Sequence, residues 1–193
     1  MADITVGVLA LQGAFAKHIQ MIQSLGCKAI EVRKPKDLDK CQGLIIPGGE
    51  STVITRQIKF IGMGGALQEF TKTKPIFGTC AGLILISREI IADVMQPMGL
   101  IDIAVERNAF GRQAESFTVD MDVELKSKER FKAVFIRAPR IRQASGDVKI
   151  LARYEGEPVL VQQGHHLGAS FHPELTGNPL IHQHFLDIVT QFG

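Results

Sequence analysis

The sequence predicts an α/β fold: a three-layer sandwich with a mostly parallel central sheet, helices on both faces and antiparallel additions in the second half. Three observations lead there. Short β-rich apolar segments alternate with helical ones through the first half. In the second half, strand-like segments follow one another with short connections. A chain of 193 residues with 45% hydrophobic content is long enough for one well-buried core and short for two, so residues 1–193 are expected to form a single domain.

Ile4 to Leu11 reads as a strand and Ala14 to Leu25 as a helix, followed by strands at Lys28 to Arg33 and Gly43 to Pro47. That βαβ rhythm calls for a parallel sheet covered on both faces. A polar stretch at Ser51 opens a helix that ends near Thr71, Pro75 to Phe77 is a strand, and a helix runs from Cys80 to about Glu89. Ser116 to Leu125, Lys132 to Arg137, Val148 to Tyr154, Pro158 to Gln163 and Leu167 to Phe171 read as strands paired antiparallel. Asn178 as N-cap and Pro179 at the first helical position announce a last helix, with Leu180, Ile181, Phe185, Ile188 and Val189 as its apolar residues. In such a sheet, sites lie at the carboxyl ends of the parallel strands.

The 22 basic and 20 acidic residues are mixed along the chain, for a net charge of +2. No stripe of one sign suits a phosphate backbone or an anionic membrane, so nucleic acid and membrane are not expected partners. Apolar runs such as Leu83 to Ile86 are too short to span a bilayer, and Met1 to Thr5 lacks the regions of a signal peptide. A cytoplasmic or similar reducing location is expected. Cys27, Cys41 and Cys80 are odd in number and scattered, which argues against a disulfide framework or a zinc site.

Pro75-Ile-Phe-Gly-Thr-Cys80-Ala-Gly-Leu is an apolar strand, a glycine-framed turn with a thiol at its apex, and the start of a helix. This is the layout of a nucleophile elbow. Gly78 and Gly82 let the chain turn sharply and let a substrate carbonyl approach, and a helix N-terminus favours a thiolate. Nothing comparable surrounds Cys27 or Cys41, which read as small buried hydrophobes. In Phe171-His-Pro-Glu-Leu175, His172 and Glu174 are two apart and face one side of an extended segment. The carboxylate can then fix the imidazole tautomer while the other ring nitrogen takes the thiol proton. His165 and His166 read as a solvated hairpin turn, and His182 and His184 face different directions on the last helix, so no metal is assigned.

Leu44-Ile-Ile-Pro-Gly-Gly-Glu-Ser-Thr52 places paired glycines after a strand, where exposed backbone N–H groups suit a developing oxyanion. A phosphate loop is the rival, weakened because its Gly-Lys-Ser/Thr end is absent. A tight turn without function is the bland alternative.

With Pro-Gly-Gly-Glu-Ser, Gly-Thr-Cys-Ala-Gly and His-Pro-Glu in this order, the chain resembles the class I, triad-type glutamine amidotransferases. Gly7-Val-Leu-Ala-Leu-Gln-Gly13, Arg107-Asn-Ala-Phe-Gly-Arg-Gln113, Phe135-Ile-Arg-Ala-Pro139 and Phe171-His-Pro-Glu-Leu-Thr176 are similar to the family of glutaminase subunits of pyridoxal 5'-phosphate synthases. The resemblance implies glutamine hydrolysis by Cys80, with His172 as base and Glu174 as orienter. It implies glutamine contacts at Gly48, Gly49, Glu50, Ser51, Arg107, Ile136 and Arg137, and oxyanion donors at Gly49 and Ala81. It further implies no cofactor on this chain and ammonia passed to a synthase subunit that makes pyridoxal 5'-phosphate. The family tends to carry a basic residue where this chain has Gly177-Asn-Pro-Leu180. A glutaminase serving another pathway, a cysteine peptidase and an inactive scaffold of the same fold are the alternatives.

Overall fold

The computed structural model describes residues 4–107 and 116–192. The Asn108 to Gln113 part of the resemblance lies outside them. In chain order the first half runs β1 (Thr5–Leu9), α1 (Phe15–Ser24), β2 (Lys28–Val32), β3 (Gly43–Ile46), α2 (Ser51–Phe60), α3 (Gly64–Phe70), β4 (Ile76–Thr79) and α4 (Ala81–Ile86). There follow β5 (Ser87–Ile90), β6 (Ile101–Glu106), β7 (Ser116–Glu124), β8 (Lys128–Ile136), β9 (Arg140–Ala144), β10 (Lys149–Tyr154), β11 (Glu157–Gln163), β12 (His166–Ala169) and α5 (Leu180–Phe192).

Among the described residues the main sheet has nine strands in the order β2-β1-β3-β4-β12-β11-β10-β7-β8. From β2 to β12 neighbouring strands are parallel, and from β12 to β8 they are antiparallel. The expected antiparallel additions thus extend the parallel sheet through β12, which pairs with β4 on one side and β11 on the other. Because strand side chains alternate, each parallel strand feeds two cores. Val6, Val8 and Ile45 pack with Ile22 of α1 and Phe185 of α5. On the opposite face Leu9, Leu44 and Ile46 pack with Ile54 of α2, Leu67 of α3 and Leu83 of α4.

The C-terminal helix begins as its sequence dictates: the Asn178 side chain accepts a hydrogen bond from Leu180 N–H at 3.0 Å, the N-cap bond. Elsewhere the structure departs from expectation. The helix expected from Ser51 to Thr71 is two helices, because Gly62 adopts φ 68°. There Gly62 N–H bonds Lys59 O and Met63 N–H bonds Ile58 O, the double bond of a Schellman cap. The helix expected to reach Glu89 stops at Ile86, and Ser87–Ile90 pairs instead with β6 in a second sheet, β5-β6-β9. His166 is not in a solvated turn but buried in β12, where its Nδ1 accepts a hydrogen bond from Ile76 N–H at 3.3 Å.

Candidate active site

Three adjacent parallel strands, β3, β4 and β12, end side by side. Past β3 come Pro47, Gly48 and Gly49, past β4 comes Cys80, and past β12 the chain reaches His172 within a few residues. Register alone therefore gathers groups far apart in sequence. Cys80 has φ 51° and ψ −104°, a conformation that costs a non-glycine residue about 1–3 kcal/mol and persists only where its surroundings impose it. Here Cys80 N–H is tied to Ala169 O at 2.8 Å, so the elbow is anchored to β12. A Cβ on Gly82 would lie 1.9 Å from the Ile46 carbonyl oxygen, and one on Gly78 2.5 Å from the Gly82 oxygen. The space those glycines save is filled by backbone, as α4 presses onto β3 and β4, rather than left for a substrate carbonyl.

The thiol of Cys80 donates to the Ile136 carbonyl oxygen at 3.7 Å and lies beside the His172 imidazole, whose protonated form it favours. His172 Nδ1 lies 2.8 Å from Glu174 Oε1. The two meet through a 3₁₀ turn, Pro173–Leu175, and not along an extended segment as the two-residue spacing predicted. Burial disfavours an imidazolium at His172, but hydrogen bonds to Cys80 and Glu174 and their charges prevail and push it up to about 10. Burial likewise works against the Glu174 carboxylate, yet His18 and His172 hold its pKa below the ordinary glutamate value. The loop after β3 closes the site: a Cβ on Gly48 would stand 2.4 Å from His172 Cε1 and 3.3 Å from Cys80 Cβ, so only glycine fits.

These groups line a cavity of about 490 Å³. Gly48, Gly49, Glu50, Ser51, Cys80, Ala81, Arg107, Ile136, Arg137 and His172 all border it, joined by Gly13, Ala14, Ile84 and Leu175. Glu174 does not reach the cavity and stands behind His172. Glu50 is the N-cap of α2, accepting from Thr52 and Val53 N–H at 3.1 and 2.9 Å. That places the carboxylate at the rim but commits both oxygens to the helix. Arg107 donates to Asp93 at 2.6 Å and reaches Glu50 at 3.3 Å. Among the described residues no cluster of three or more His, Cys, Asp or Glu could hold a metal ion.

Sequence reasoning passed over His18. It is fully buried on α1, with Nε2 3.3 Å from Glu174 Oε2 and Nδ1 2.9 Å from His182 Nε2. Its position one helical turn before the buried Ile22 was a signal that it faces the core. Cys41 is buried with its thiol pushed up to about 11, mainly by burial, and Cys27 is half-buried.

Comparison with known families matches residues 8–191 to the SNO glutamine amidotransferase family. The chain belongs to that family. Among relatives of this amidotransferase, the pyridoxal 5'-phosphate synthase subunit PdxT of Pelotomaculum thermopropionicum is 48% identical, over 97% of this chain and 96% of its own length. The subunit of the same name from Thermus thermophilus is 50% identical, over 95% and 96%. A crystal structure of a glutamine amidotransferase that is 45% identical superposes with a TM-score of 0.90, covering 96% of this chain and 98% of that one. A glutamine amidotransferase from Thermotoga maritima shares the fold at a TM-score of 0.61 and 13% identity, over 99% of this chain and 84% of that one. No helix among the described residues is long and apolar enough to cross a membrane.

Proposed function

We propose that this chain is the glutaminase subunit of a cytoplasmic pyridoxal 5'-phosphate synthase and that residues 1–193 form one glutaminase domain. The observation that carries the reading is a thiol on a strained elbow beside a carboxylate-oriented imidazole, at the floor of a cavity suited to a small amino acid. Cys80 attacks the amide carbon of L-glutamine with the thiol proton held on His172, which delivers it to the departing ammonia. Water activated by the same imidazole then cleaves the glutamyl thioester and releases glutamate. Glu174 holds the His172 tautomer. The N–H groups of Gly49 and Ala81 receive the oxyanion, and losing one such donor costs about 2.7–4 kcal/mol of barrier. Gly48, Gly49, Glu50, Ser51, Arg107, Ile136 and Arg137 hold the substrate, with a guanidinium on the α-carboxylate.

The names of the relatives support a synthase partner that consumes the ammonia. The Pro47-Gly48-Gly49 loop is the proposed switch, since a glycine peptide can flip and partner docking can select the competent state. A hundredfold activation needs about 2.7 kcal/mol of preferential binding to that state. Glutamate release is measured with and without the synthase partner, at saturating glutamine and matched enzyme concentration. A steep rise with the partner is expected. Equal rates would remove the switch, and no release in either sample would remove the glutaminase reading.

A further inference from the structure

A second buried cluster lies behind the candidate triad. Glu174, with its side chain fully buried, uses Oε1 for His172, while Oε2 has the His18 Nε2 nitrogen 3.3 Å away, off-line for a well-formed hydrogen bond. His18 Nε2 is also 3.3 Å from Thr79 Oγ1, and its Nδ1 is 2.9 Å from His182 Nε2. Four elements meet here: α1 supplies His18, β4 supplies Thr79, the turn after β12 supplies Glu174, and α5 supplies His182. His18 and His182 are both 0% exposed, and Phe77 stands edge-on to each ring.

Burial holds both histidines below their ordinary pKa, so each is neutral near pH 7, with one N–H and one lone pair. The contact between the two rings requires one donor, and two arguments choose it. If His18 donated from Nδ1, its Nε2 lone pair would face a buried carboxylate. His182 would then carry its proton on Nδ1, which has no hydrogen-bond partner. A buried orphan N–H is rarer than an orphan acceptor. If His182 donates from Nε2 instead, the unpartnered Nδ1 is only a lone pair, and His18 carries its proton on Nε2, between Glu174 and Thr79.

We propose that His18 and His182 are positioning residues of the active site: His182 fixes the tautomer of His18, and the His18 Nε2–H faces Glu174 Oε2 and keeps that carboxylate ionised and aimed at His172. The carboxylate thus has a ring on each side, with His172 hydrogen-bonded to one oxygen and the His18 Nε2 3.3 Å from the other, an electrostatic contact. This deepens the glutaminase reading and rests on it. The titratable groups facing His18 are Glu174 from the turn and His182 from α5, with His172 beyond. Removing the His18 N–H makes Glu174 easier to protonate, so the acid limb of the pH–rate profile moves to higher pH.

The test is glutamate release against pH by the complex with the synthase partner, for the wild type, His18→Leu, His18→Gln and His182→Leu, with thermal melts alongside. His18→Leu is expected to lower kcat about tenfold with little change in KM, less than loss of the Glu174 charge costs, because His18 acts on His172 only through Glu174. Its acid limb should move up. In His18→Gln the amide N–H can occupy the Nε2 position, and both kcat and the limb should largely recover. His182→Leu should move the limb the same way by less. A folded His18→Leu with the wild-type profile, or no recovery in His18→Gln, overturns the proposal, since a pair that only ties α1 to α5 would change the melt and not the limb. If His18→Leu does not fold, the limb of His182→Leu decides. Nitrogen-15 NMR of the histidine rings gives a readout that does not depend on turnover: an Nε2–H tautomer at His18 is expected, and an Nδ1–H tautomer overturns the proposal. A wild-type complex that releases no glutamate would count against the glutaminase reading instead, and the tautomer would still decide this one.

Discussion

The two walls of the cavity are built on opposite principles. Behind His172 the Glu174 and His18 side chains are fully buried, and a run of close contacts extends to His182. Across the cavity Arg107 and Glu50 have side chains 25% and 46% exposed and hold one another through a chain that includes Asp93 and Thr52. A dry, packed wall fixes a proton-transfer geometry before substrate arrives, whereas a wet wall of charges can rearrange when a charged ligand enters. The chemistry should therefore fail in kcat when the first wall is cut, and recognition should fail in KM when the second is cut.

The largest effects test where the first wall begins. Cys80→Ala should lower glutamine turnover by at least about 10⁴-fold and abolish labelling by a glutamine-like electrophile. Cys27→Ala and Cys41→Ala should leave both within about twofold, as expected of changes away from the reacting groups. Full activity in Cys80→Ala would erase the contrast between the walls altogether. His172→Ala should come close to Cys80→Ala. Glu174→Gln should cost less, about 10³-fold in kcat, because an amide can keep an orienting hydrogen bond without the charge. A loss that appeared in KM alone would place Glu174 on the recognition side.

The walls also differ in how far the sequence announces them. The elbow at Cys80 and the pair at His172 and Glu174 are legible because each is a short local motif, and strand adjacency then does the rest. His18 is not legible as part of a site, because its partners Glu174 and His182 come from the far end of the chain and meet it only through packing of α1 against the last turn and α5. The same limit hid β5, which follows directly on the apolar run of α4 and becomes a strand because β6 lies beside it. His166 looks like turn polarity next to Gly164 and His165, since no local cue shows that an N–H of β4 needs its Nδ1. Glu50 is legible as a residue of the site rim, but its work as the α2 cap is equally local and went unread.

A smaller effect sharpens the contrast by pH. Burial, with help from the neighbouring His165, lowers His166 to about 4, and burial also lowers His18 and His182. Between about pH 4 and 6.5 the unfolded chain binds protons that the folded chain refuses, so stability is present above 6.5 and falls as the pH drops through that window. For His166 the whole window amounts to about 3 kcal/mol at most. In His166→Asn the side-chain oxygen can still accept from Ile76 N–H but cannot titrate. Urea unfolding at pH 5 and pH 7 should therefore show a smaller difference in this variant than in the wild type, and an equal difference would assign the acid sensitivity to the His18 and His182 side of the fold.

The smallest effect concerns the wet wall. Arg107 donates through Nη1 to Asp93 at 2.6 Å and through Nη2 toward Glu50 at 3.3 Å and Thr52 Oγ1 at 3.4 Å. Of the five guanidinium hydrogens three face these acceptors, which leaves one on Nη1 and the one on Nε for a carboxylate entering the cavity. Asp93, whose carboxylate is held below the ordinary aspartate range by the Met95 N–H and by Arg107, acts as the anchor that aims the fork. Its side chain is 22% exposed and the pair is partly screened, so the anchor is worth little in stability. Asp93→Ala should leave the melting temperature nearly unchanged and raise the KM for glutamine by about tenfold, or about 1.4 kcal/mol, with kcat held. Arg107→Gln should do the same by more, and combining the two should cost no more than Arg107→Gln alone if Asp93 acts only through Arg107. Steady-state kinetics of the three variants decides the matter. A fall in kcat with KM unchanged would show that this exposed wall, like the buried one, takes part in the chemical step.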